Sequence, residues 1–232
     1  MRQVFLDTET TGLEVEAGHR VIEIGCIELV QRRRTGREFH TYLNPDRAID
    51  EGARAVTGIS DESLLDKPRF GEIAQDFLAF IDDAELIAHN ARFDLAFLDA
   101  ELTRAGLGGQ RLGGRLSVID TLALAREKFP GQRNTLDALC KRLDVDNSHR
   151  SLHGALLDAN LLVEVYLALT SGQGALGFDE DDSAAPIRAS VQLQVRTRPL
   201  VRRASAVELA LHEARLAAID AASKGACVWK RD

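Results

Sequence analysis

The stretch Val4-Phe5-Leu6-Asp7-Thr8-Glu9-Thr10-Thr11-Gly12 sets two carboxylates two positions apart at the end of an apolar run. On a β-strand, side chains at positions i and i+2 point to the same face, so Asp7 and Glu9 project together. Two like charges held this close repel each other unless a cation lies between them or one takes a proton. Oxygen ligands of this kind suit Mg²⁺ or Mn²⁺. An acidic pair at a strand end is also found in solvated turns, so further residues have to decide.

Two more acids fall inside apolar helical stripes. Asp94 follows the short apolar strand 86–88 and lies in line with Leu98 and Leu102 at helical spacing. Asp158 belongs to a stripe that also contains Ala155, Leu162, Val165 and Leu169. A bare carboxylate in an apolar environment is costly. For either acid alone, a helix cap or a buried acid bound to a backbone amide is the simpler interpretation. With Asp7 and Glu9, however, they form a candidate set of four metal ligands.

His153 precedes Asp158 by five positions, which correspond to about 140° around a helix of 3.6 residues per turn. The two side chains cannot share a face if both residues are helical, so we place His153 on the loop that enters the helix. Imidazole has an ordinary pKa near neutrality, so it is suited to accept a proton from an attacking water. A lone histidine is more often structural, but this one lies one turn from a suspected ligand.

These five residues, in this order, resemble the signature of the DEDDh 3′→5′ exonucleases. Longer motifs resemble those of the bacterial DNA polymerase III epsilon-subunit family, the proofreading exonucleases; they lie at 7–12, 21–25, 64–68, 89–94, 134–140 and 152–158. The resemblance implies that the enzyme releases nucleoside 5′-monophosphates from DNA 3′ ends. Four carboxylates can hold two divalent cations, Mg²⁺ or Mn²⁺, as in two-metal nucleases. We therefore expect Asp7, Glu9, Asp94 and Asp158 to bind metal and His153 to act as the general base.

Other positions are expected to contact the substrate. Thr10, Thr11 and Gly12 match the family's loop over the terminal nucleotide, and Asn90 lies in the motif that ends at Asp94. The family often carries a histidine in the segment before its first long helix. This chain has Thr57 there, so the family contact is reduced at best to a hydroxyl hydrogen bond.

Length and composition are those of a modest enzyme. The chain has 232 residues, no apolar stretch near the roughly 20 residues of a membrane span, and no signal peptide ahead of the first strand. We therefore expect a cytoplasmic protein with no membrane contact. Cys26, Cys140 and Cys227 have neither disulfide nor zinc spacing and are expected to be buried thiols. The net charge of −7 predicts weak intrinsic affinity for DNA, and hence a partner that delivers the 3′ end.

The apolar patterns predict an α/β fold. Strands are expected near 4–6, 20–30, 39–43, 86–88 and 116–119, and helices near 71–81, 92–105, 134–143 and 154–170, with a hairpin turn at Arg32–Gly36. Strands first, then alternating helices and strands, imply a mixed central sheet flanked by helices. The family resemblance identifies this as the ribonuclease-H-like exonuclease fold, followed by a flexible C-terminal tail.

The composition changes after Thr170 and suggests three parts: an exonuclease domain at 1–170, a flexible linker at 171–204, and a polymerase-docking tail at 205–232. Residues 173–178 resemble the peptide that binds bacterial sliding clamps (beta), through Gln173, Leu176 and Phe178. In the tail, Leu211, Leu216 and Trp229 are expected to anchor the DNA polymerase III alpha subunit. The resemblance also raises a small theta-like subunit as a partner, on which the sequence itself is silent.

Two alternatives stay open at this point. The first is a DEDDh RNA exonuclease of the oligoribonuclease or ribonuclease T kind, which would share the fold and the site but not the tail. The second is an inactive assembly module that only tethers the clamp to the polymerase. The presence of all five site residues argues against the second.

Overall fold

The chain divides into two compact units, Met1–Gly177 and Phe178–Asp232. The computed structural model describes residues 1–109, 111–148, 152–171, 204–224 and 227–230. Among these residues, no helix combines the length and the apolar character that crossing a membrane requires.

The first unit is built on a five-stranded mixed sheet. Its strands are β1 (Arg2–Thr10), β2 (Val21–Val30), β3 (Arg33–Tyr42), β4 (Glu85–Ala88) and β5 (Val118–Asp120), in the order β3-β2-β1-β4-β5. β1, β2 and β3 are antiparallel neighbours, whereas β4 and β5 add in parallel on the other side of β1. The predicted mixed central sheet is therefore confirmed, with β1 in the middle.

The helices of this unit are α1 (Glu51–Thr57), α2 (Asp61–Leu64), α3 (Phe70–Ile81), α4 (Ala91–Arg104), α5 (Leu112–Arg115), α6 (Thr121–Lys128), α7 (Leu136–Arg142) and α8 (Ala155–Leu169), with a 3₁₀ turn at Val15–Ala17. The four predicted helices correspond to α3, α4, α7 and α8. Helices α1 and α6 were not predicted, because α1 buries only Thr57 and α6 buries only Thr121 and Ala125. Neither has an apolar stripe that the sequence could display.

The core lies on both faces of the sheet, and the alternation along β1 assigns its side chains to them. Val4 and Leu6 belong to the apolar cluster that includes residues of α3 and α4. Phe5 belongs to the cluster that includes residues of α7 and α8. By the same alternation, Asp7 and Glu9 face the α8 side of the sheet, and Thr8 faces the α4 side. The end of β1 therefore presents polar groups to both helices.

The β2–β3 hairpin turns earlier than the sequence predicts. Val30 pairs with Arg33, which leaves Gln31 and Arg32 as a two-residue turn with φ values of 50° and 63°. Gly36, also at positive φ, lies within β3 opposite the irregularity in the pairing. The predicted turn at Arg32–Gly36 is wrong, because the glycine serves a strand bulge and the left-handed turn is made by residues with side chains.

Helix α8 rests directly on β2 at Gly25. A Cβ atom placed there would lie 2.3 Å from the carbonyl carbon of Ala155 and from the backbone nitrogen of Leu156. Such distances are far below a normal contact, so only glycine permits the first turn of α8 to approach the sheet this closely. This contact fixes the height at which α8 begins.

We expect Gly25→Ala to destabilise the protein by about 1–3 kcal/mol, the usual cost of overpacking a core. The matched control is Gly114→Ala, at a helical position where an added Cβ meets nothing within 4 Å. Urea denaturation followed by circular dichroism measures both variants. Equal unfolding midpoints for the two would show that α8 tolerates a side chain beneath it.

Candidate active site

The five residues singled out by the sequence line one cavity of about 570 Å³ at the end of β1. Its walls include Asp7, Glu9, Asp94, His153 and Asp158. They come from three separate stretches of the chain, β1, the start of α4 and the start of α8. Four carboxyl groups and an imidazole thus converge on one solvent-filled space.

The tightest group in this cavity consists of Glu9, His153 and Asp158. One ligand atom from each lies within 4.8 Å of the other two, and His153 Nδ1 is 3.3 Å from Asp158 Oδ2. The Asp158 side chain is 4% exposed and that of His153 is 42% exposed. Carboxylate oxygens around a space of this size, with an imidazole beside them, fit a hard divalent cation.

The entry to α8 positions two of these groups. His153 lies in the loop just before the N-cap residue Gly154, and its backbone N–H donates to the carbonyl of Val56 at 3.0 Å. Asp158 is in the first turn of the helix, where its N–H donates to the carbonyl of Gly154 at 2.8 Å. The histidine is therefore held by backbone contacts while its ring reaches the cavity.

Asp94 is 4% exposed and lies on the α4 side of the sheet, the face opposite to that of Asp7 and Glu9. The hydroxyl of Thr8 donates to its Oδ1 at 2.7 Å. Burial raises the pKa of Asp94 from 3.8 to about 7, against the opposing effect of the Thr8 hydrogen bond. Near neutral pH this carboxyl is thus poised between its two protonation states.

A buried ion pair holds α4, which carries Asp94, against the start of β2. The Arg20 guanidinium donates from Nε to one oxygen of Glu101 at 2.6 Å and from a terminal nitrogen to the other at 2.8 Å. The hydrogen bond to Glu101 raises the pKa of Arg20. Glu101 is 1% exposed, so this fork is shielded from solvent and ties the two elements firmly.

The predicted substrate loop is held in shape by its own side chains. Thr10 Oγ1 donates to the carbonyl of Gly12 at 2.6 Å, and Thr11 Oγ1 lies 3.0 Å from His19 Nδ1. A Cβ at Gly12 would meet the His19 ring at 2.3 Å. The loop borders a second cavity of about 490 Å³, whose lining includes the exposed Leu13.

Thr57 and Asn90 also form hydrogen bonds with other residues of the chain. Thr57, the last residue of α1, is buried and its hydroxyl donates to the carbonyl of Ala53 at 2.9 Å. Asn90 has φ of 67°, and its backbone N–H donates to Asp120 Oδ1 at 2.9 Å. The side chain of Asn90 lines the cavity of the five site residues, whereas Thr57 lines the second cavity.

The main cavity is also lined by residues that were not assigned to the site from the sequence, among them His89, Arg126 and Arg133. His89 Nδ1 lies 2.9 Å from the Thr121 hydroxyl, and burial lowers the pKa of its imidazole. His89 directly precedes Asn90, so its place in the motif was a usable signal. The two arginines are exposed residues on and after α6, and nothing in their local sequence distinguishes them from other surface arginines.

Two of the three residues predicted to dock the polymerase are exposed in the second unit. Helix α9 (Ala206–Ala222) begins at Ser205, which forms a reciprocal capping box with Glu208. Leu211 is 66% exposed and Trp229 is 78% exposed, while Leu216 is half-buried. Gln173, Leu176 and Phe178, which the sequence predicts to bind the clamp, lie outside the described residues. Cys26, Cys140 and Cys227 are buried, as predicted.

Comparison with known proteins identifies the family. The sequence model of the exonuclease family matches residues 4–166. The DNA polymerase III subunit epsilon of Escherichia coli K12 is 47% identical over 237 residues, which cover 99% of this chain and 97% of that protein. The chain belongs to the DNA polymerase III epsilon-subunit family. The subunit of Haemophilus influenzae is 53% identical over 186 residues, covering 78% of this chain and 72% of that protein.

Solved structures agree with this epsilon-family fold. Exonuclease X, in complex with 5′-overhanging duplex DNA, is 26% identical with a TM-score of 0.57, over 75% of this chain and 95% of that one. Escherichia coli exonuclease I, bound to a dT13 oligonucleotide, shares the fold at 19% identity and a TM-score of 0.59, over 71% of this chain and 40% of that one. The chain is therefore an exonuclease of ribonuclease-H-like fold, in a family that generally uses divalent metal ions.

The raised pKa of Asp94 predicts how the metal-free protein responds to pH. An acid whose pKa is higher in the folded state than in the unfolded state favours folding at low pH, and the advantage is lost as pH rises through the folded pKa. With 3.8 and about 7 as the two values, stability should fall between about pH 4 and pH 7. Asp94→Asn should remove part of that slope.

Urea unfolding in EDTA at pH 5 and pH 8 measures this effect. We expect the wild-type chain to lose more stability than Asp94→Asn over this interval, by at most a few kcal/mol for a shift of this size. Other titrating groups are common to both proteins and cancel in the comparison. Parallel pH dependences would mean that Asp94 ionises in the folded chain as readily as in the unfolded one.

Proposed function

We propose that this chain is the proofreading 3′→5′ exonuclease of a replicative DNA polymerase III and removes mispaired 3′-terminal nucleotides as 5′-monophosphates. The observation that carries the proposal is the convergence of four carboxyl groups and His153 on one cavity, with Glu9, His153 and Asp158 closest together. The relatives that match over nearly the full length are DNA polymerase III epsilon subunits, which favours this role over an RNA exonuclease. We accordingly propose that the protein works in the cytoplasm, at the replisome.

In the proposed site, Asp7, Glu9, Asp94 and Asp158 would hold two divalent cations, Mg²⁺ or Mn²⁺. Such cations would activate a water and neutralise charge on the scissile phosphate. The backbone elements fix where the carboxylates lie. Two of them come from β1, and the other two come from α4 and α8, which pack on opposite faces of the sheet. Thr8 holds the Asp94 carboxyl by its hydrogen bond and thereby limits its rotation.

His153 acts as the general base. Its side chain is partly exposed at the cavity edge, so it can accept a proton from the attacking water and release it to solvent. The ring lies on a loop whose backbone is anchored to Val56. The main chain is thus held in place, and the ring lies beside Asp158 at the edge of the cavity.

We propose that the DNA strand approaches the cavity past two exposed arginines. Arg126 and Arg133 are exposed and line the same cavity as the acids. Their charges attract phosphates of the strand, while the terminal nucleotide lies against the loop of Thr10, Thr11 and Gly12, with Asn90 at its side. The overall charge of −7 keeps affinity for free DNA low.

The domains divide the work. We assign catalysis to residues 1–170 and docking to the polymerase to residues 205–232. The linker, residues 171–204, would span the distance between them. Exposed Leu211 and Trp229, with Leu216, offer an apolar surface to the polymerase alpha subunit. Gln173, Leu176 and Phe178 bind the sliding clamp. A small theta-like subunit stays a prediction of the family resemblance.

The first test is hydrolysis of a 5′-labelled DNA primer on its template, with or without a 3′ mismatch. We expect wild-type protein with Mn²⁺ to shorten the mismatched primer faster than the matched one and faster than an RNA of the same length. Asp7→Ala and Asp158→Ala should abolish hydrolysis, because each removes a metal ligand. Without metal they should be no less stable than wild type, since repulsion between carboxylates is relieved.

Asp76→Ala, which removes an exposed acid on α3, is the matched control and should retain activity. Preference for the RNA would move the chain to the other branch of the DEDDh enzymes. Substantial hydrolysis by Asp158→Ala would take that residue out of the metal site.

For His153→Ala we expect metal binding to survive and the hydrolytic step to slow by about 10²–10⁴-fold, as for a lost general base. The pH–rate profile should lose one limb. Calorimetric titration with Mn²⁺ and rates from pH 6 to pH 9 provide the two measurements. A slow variant with an unchanged pH profile would show that another group takes the proton.

Truncation after Thr170 should leave hydrolysis of single-stranded DNA nearly intact and abolish association with the polymerase. Gel filtration with the alpha subunit measures association, and Leu176→Ala/Phe178→Ala in the full chain should weaken clamp binding alone. Tethering supplies an effective concentration of about millimolar at the primer end, which compensates for weak DNA affinity. Co-elution of the truncated domain with the polymerase would place the anchor elsewhere.

A further inference from the structure

The face of the sheet that carries Asp7 and Glu9 holds another buried carboxylate. Glu23 on β2 lies directly opposite Glu9 on one side and Tyr42 of β3 on the other. Directly opposite residues of antiparallel strands project to the same face, so the three side chains form a row across the sheet. Glu23 is 2% exposed. It is therefore an acid beside a cluster of acids, and the proposed mechanism assigns it no task.

Only part of this carboxylate is satisfied. His40 Nε2 lies 2.8 Å from Glu23 Oε1 and, because a carboxylate only accepts, the imidazole is the donor. The other oxygen, Oε2, is buried and has no hydrogen-bond partner within the described part of the chain. The Tyr42 hydroxyl also interacts with this carboxylate, since burial and the neighbouring Glu23 raise the pKa of Tyr42. Leaving a buried charged oxygen unpaired is costly. A neutral side chain would fill the same space with less penalty, so the cost calls for a compensating role.

The unpaired oxygen lies under the entry to α8. A Cβ at Gly154 would be 3.9 Å from Glu23 Oε2 and 4.0 Å from Oε1, which is ordinary contact distance. Gly154 is the N-cap of α8 and, being glycine, gives the helix no side-chain cap. The free amides of a helix N-terminus carry partial positive charge, which a carboxylate complements. His153 is the next residue toward the N-terminus of the chain.

We propose that Glu23, held by His40, is a positioning residue that supports the His153–Gly154 turn from below. This inference rests on the proposed exonuclease function, because the turn matters through the base that it presents. Gly25 lets the first turn of α8 approach the sheet, and Glu23, two residues away on the same face, adds charge where the turn begins. Contact and charge together fix the angle at which the His153 ring meets Glu9 and Asp158.

The test is Glu23→Gln in the full chain, which keeps the shape of the side chain and removes its charge. The matched control is Glu28→Gln. Glu28 is on the same strand and also 2% exposed, but it points to the other face and is paired with Arg2 and Arg37. Three quantities are measured: kcat and KM on a single-stranded DNA oligonucleotide with Mn²⁺, the thermal unfolding midpoint, and the NMR titration of the His153 imidazole without metal.

We expect Glu23→Gln to lower kcat about tenfold with KM changed less than twofold, the pattern of a lost alignment in the transition state. The His153 titration should shift in the same variant. Glu28→Gln should lower the unfolding midpoint and leave kcat, KM and the His153 titration unchanged. If Glu23→Gln fails to fold, His40→Gln, which removes the support and retains the carboxylate, should shift the same titration and lower kcat less.

Two results would overturn the inference. In the first, Glu23→Gln has the same kcat and the same His153 titration as the wild-type protein. The same result for His40→Gln counts equally where that variant is used. The other is an equal loss of kcat in Glu28→Gln, which would reduce Glu23 to one more buried acid that the fold needs. If wild-type protein does not hydrolyse DNA, the proposed function fails; the metal-free His153 titration still decides whether Glu23 positions the turn.

Discussion

The contact between the first turn of α8 and Gly25 is the constraint on which the site depends. Asp7 and Glu9 are fixed by β1 alone, but the residues that complete the cavity have to be brought to them. Because β2 has no side chain at position 25, the backbone of Ala155 comes within contact of the sheet. Asp158 then lies one turn above it, and His153 just before it. A larger residue on β2 would raise all of these groups together.

The fold also brings several carboxyl groups together, and burying them costs free energy. Asp94 shows the cost most clearly, since burial raises its pKa to about 7 in the absence of any cation. The Thr8 hydroxyl and the Arg20–Glu101 fork hold the carboxyl and its helix in place despite that penalty. These contacts fix the place of the carboxyl group in the cavity. In the proposed function, a cation would find this group already in position.

Much of this site follows from sequence periodicity, and the rest does not. A spacing of two on a strand places Asp7 and Glu9 on one face, and an acid within an apolar helical stripe indicates Asp94 and Asp158. These signals are local. The seat of α8 on Gly25 and the position of Glu23 depend on pairing between distant strands, which a local pattern does not contain. Arg126 and Arg133 reach the cavity only through the packing of their segments.

The same limit explains the errors in the elements. Helices α3, α4 and α8 bury broad apolar faces and are visible in the sequence, whereas α1 and α6 bury one or two residues each. In the β2–β3 hairpin, the turn was predicted to end at Gly36 because glycine is common in turns. The backbone instead turns at Gln31 and Arg32, where strand pairing requires positive φ from residues that rarely adopt it. Non-local pairing there outweighs the local preference of the residues.

The acidic catalytic unit and the exposed apolar tail both fit the proposed function. A strongly basic unit would bind DNA everywhere and would digest correctly paired ends between encounters with the polymerase. In the proposed function, low intrinsic affinity for DNA makes hydrolysis of primer ends depend on a partner. We assign the docking of that partner to the tail, whose apolar residues Leu211 and Trp229 are exposed. Exposed apolar surface of this kind is costly in water and is recovered on docking. In the proposed function, hydrolysis of primer ends is therefore fastest where the partner holds such an end.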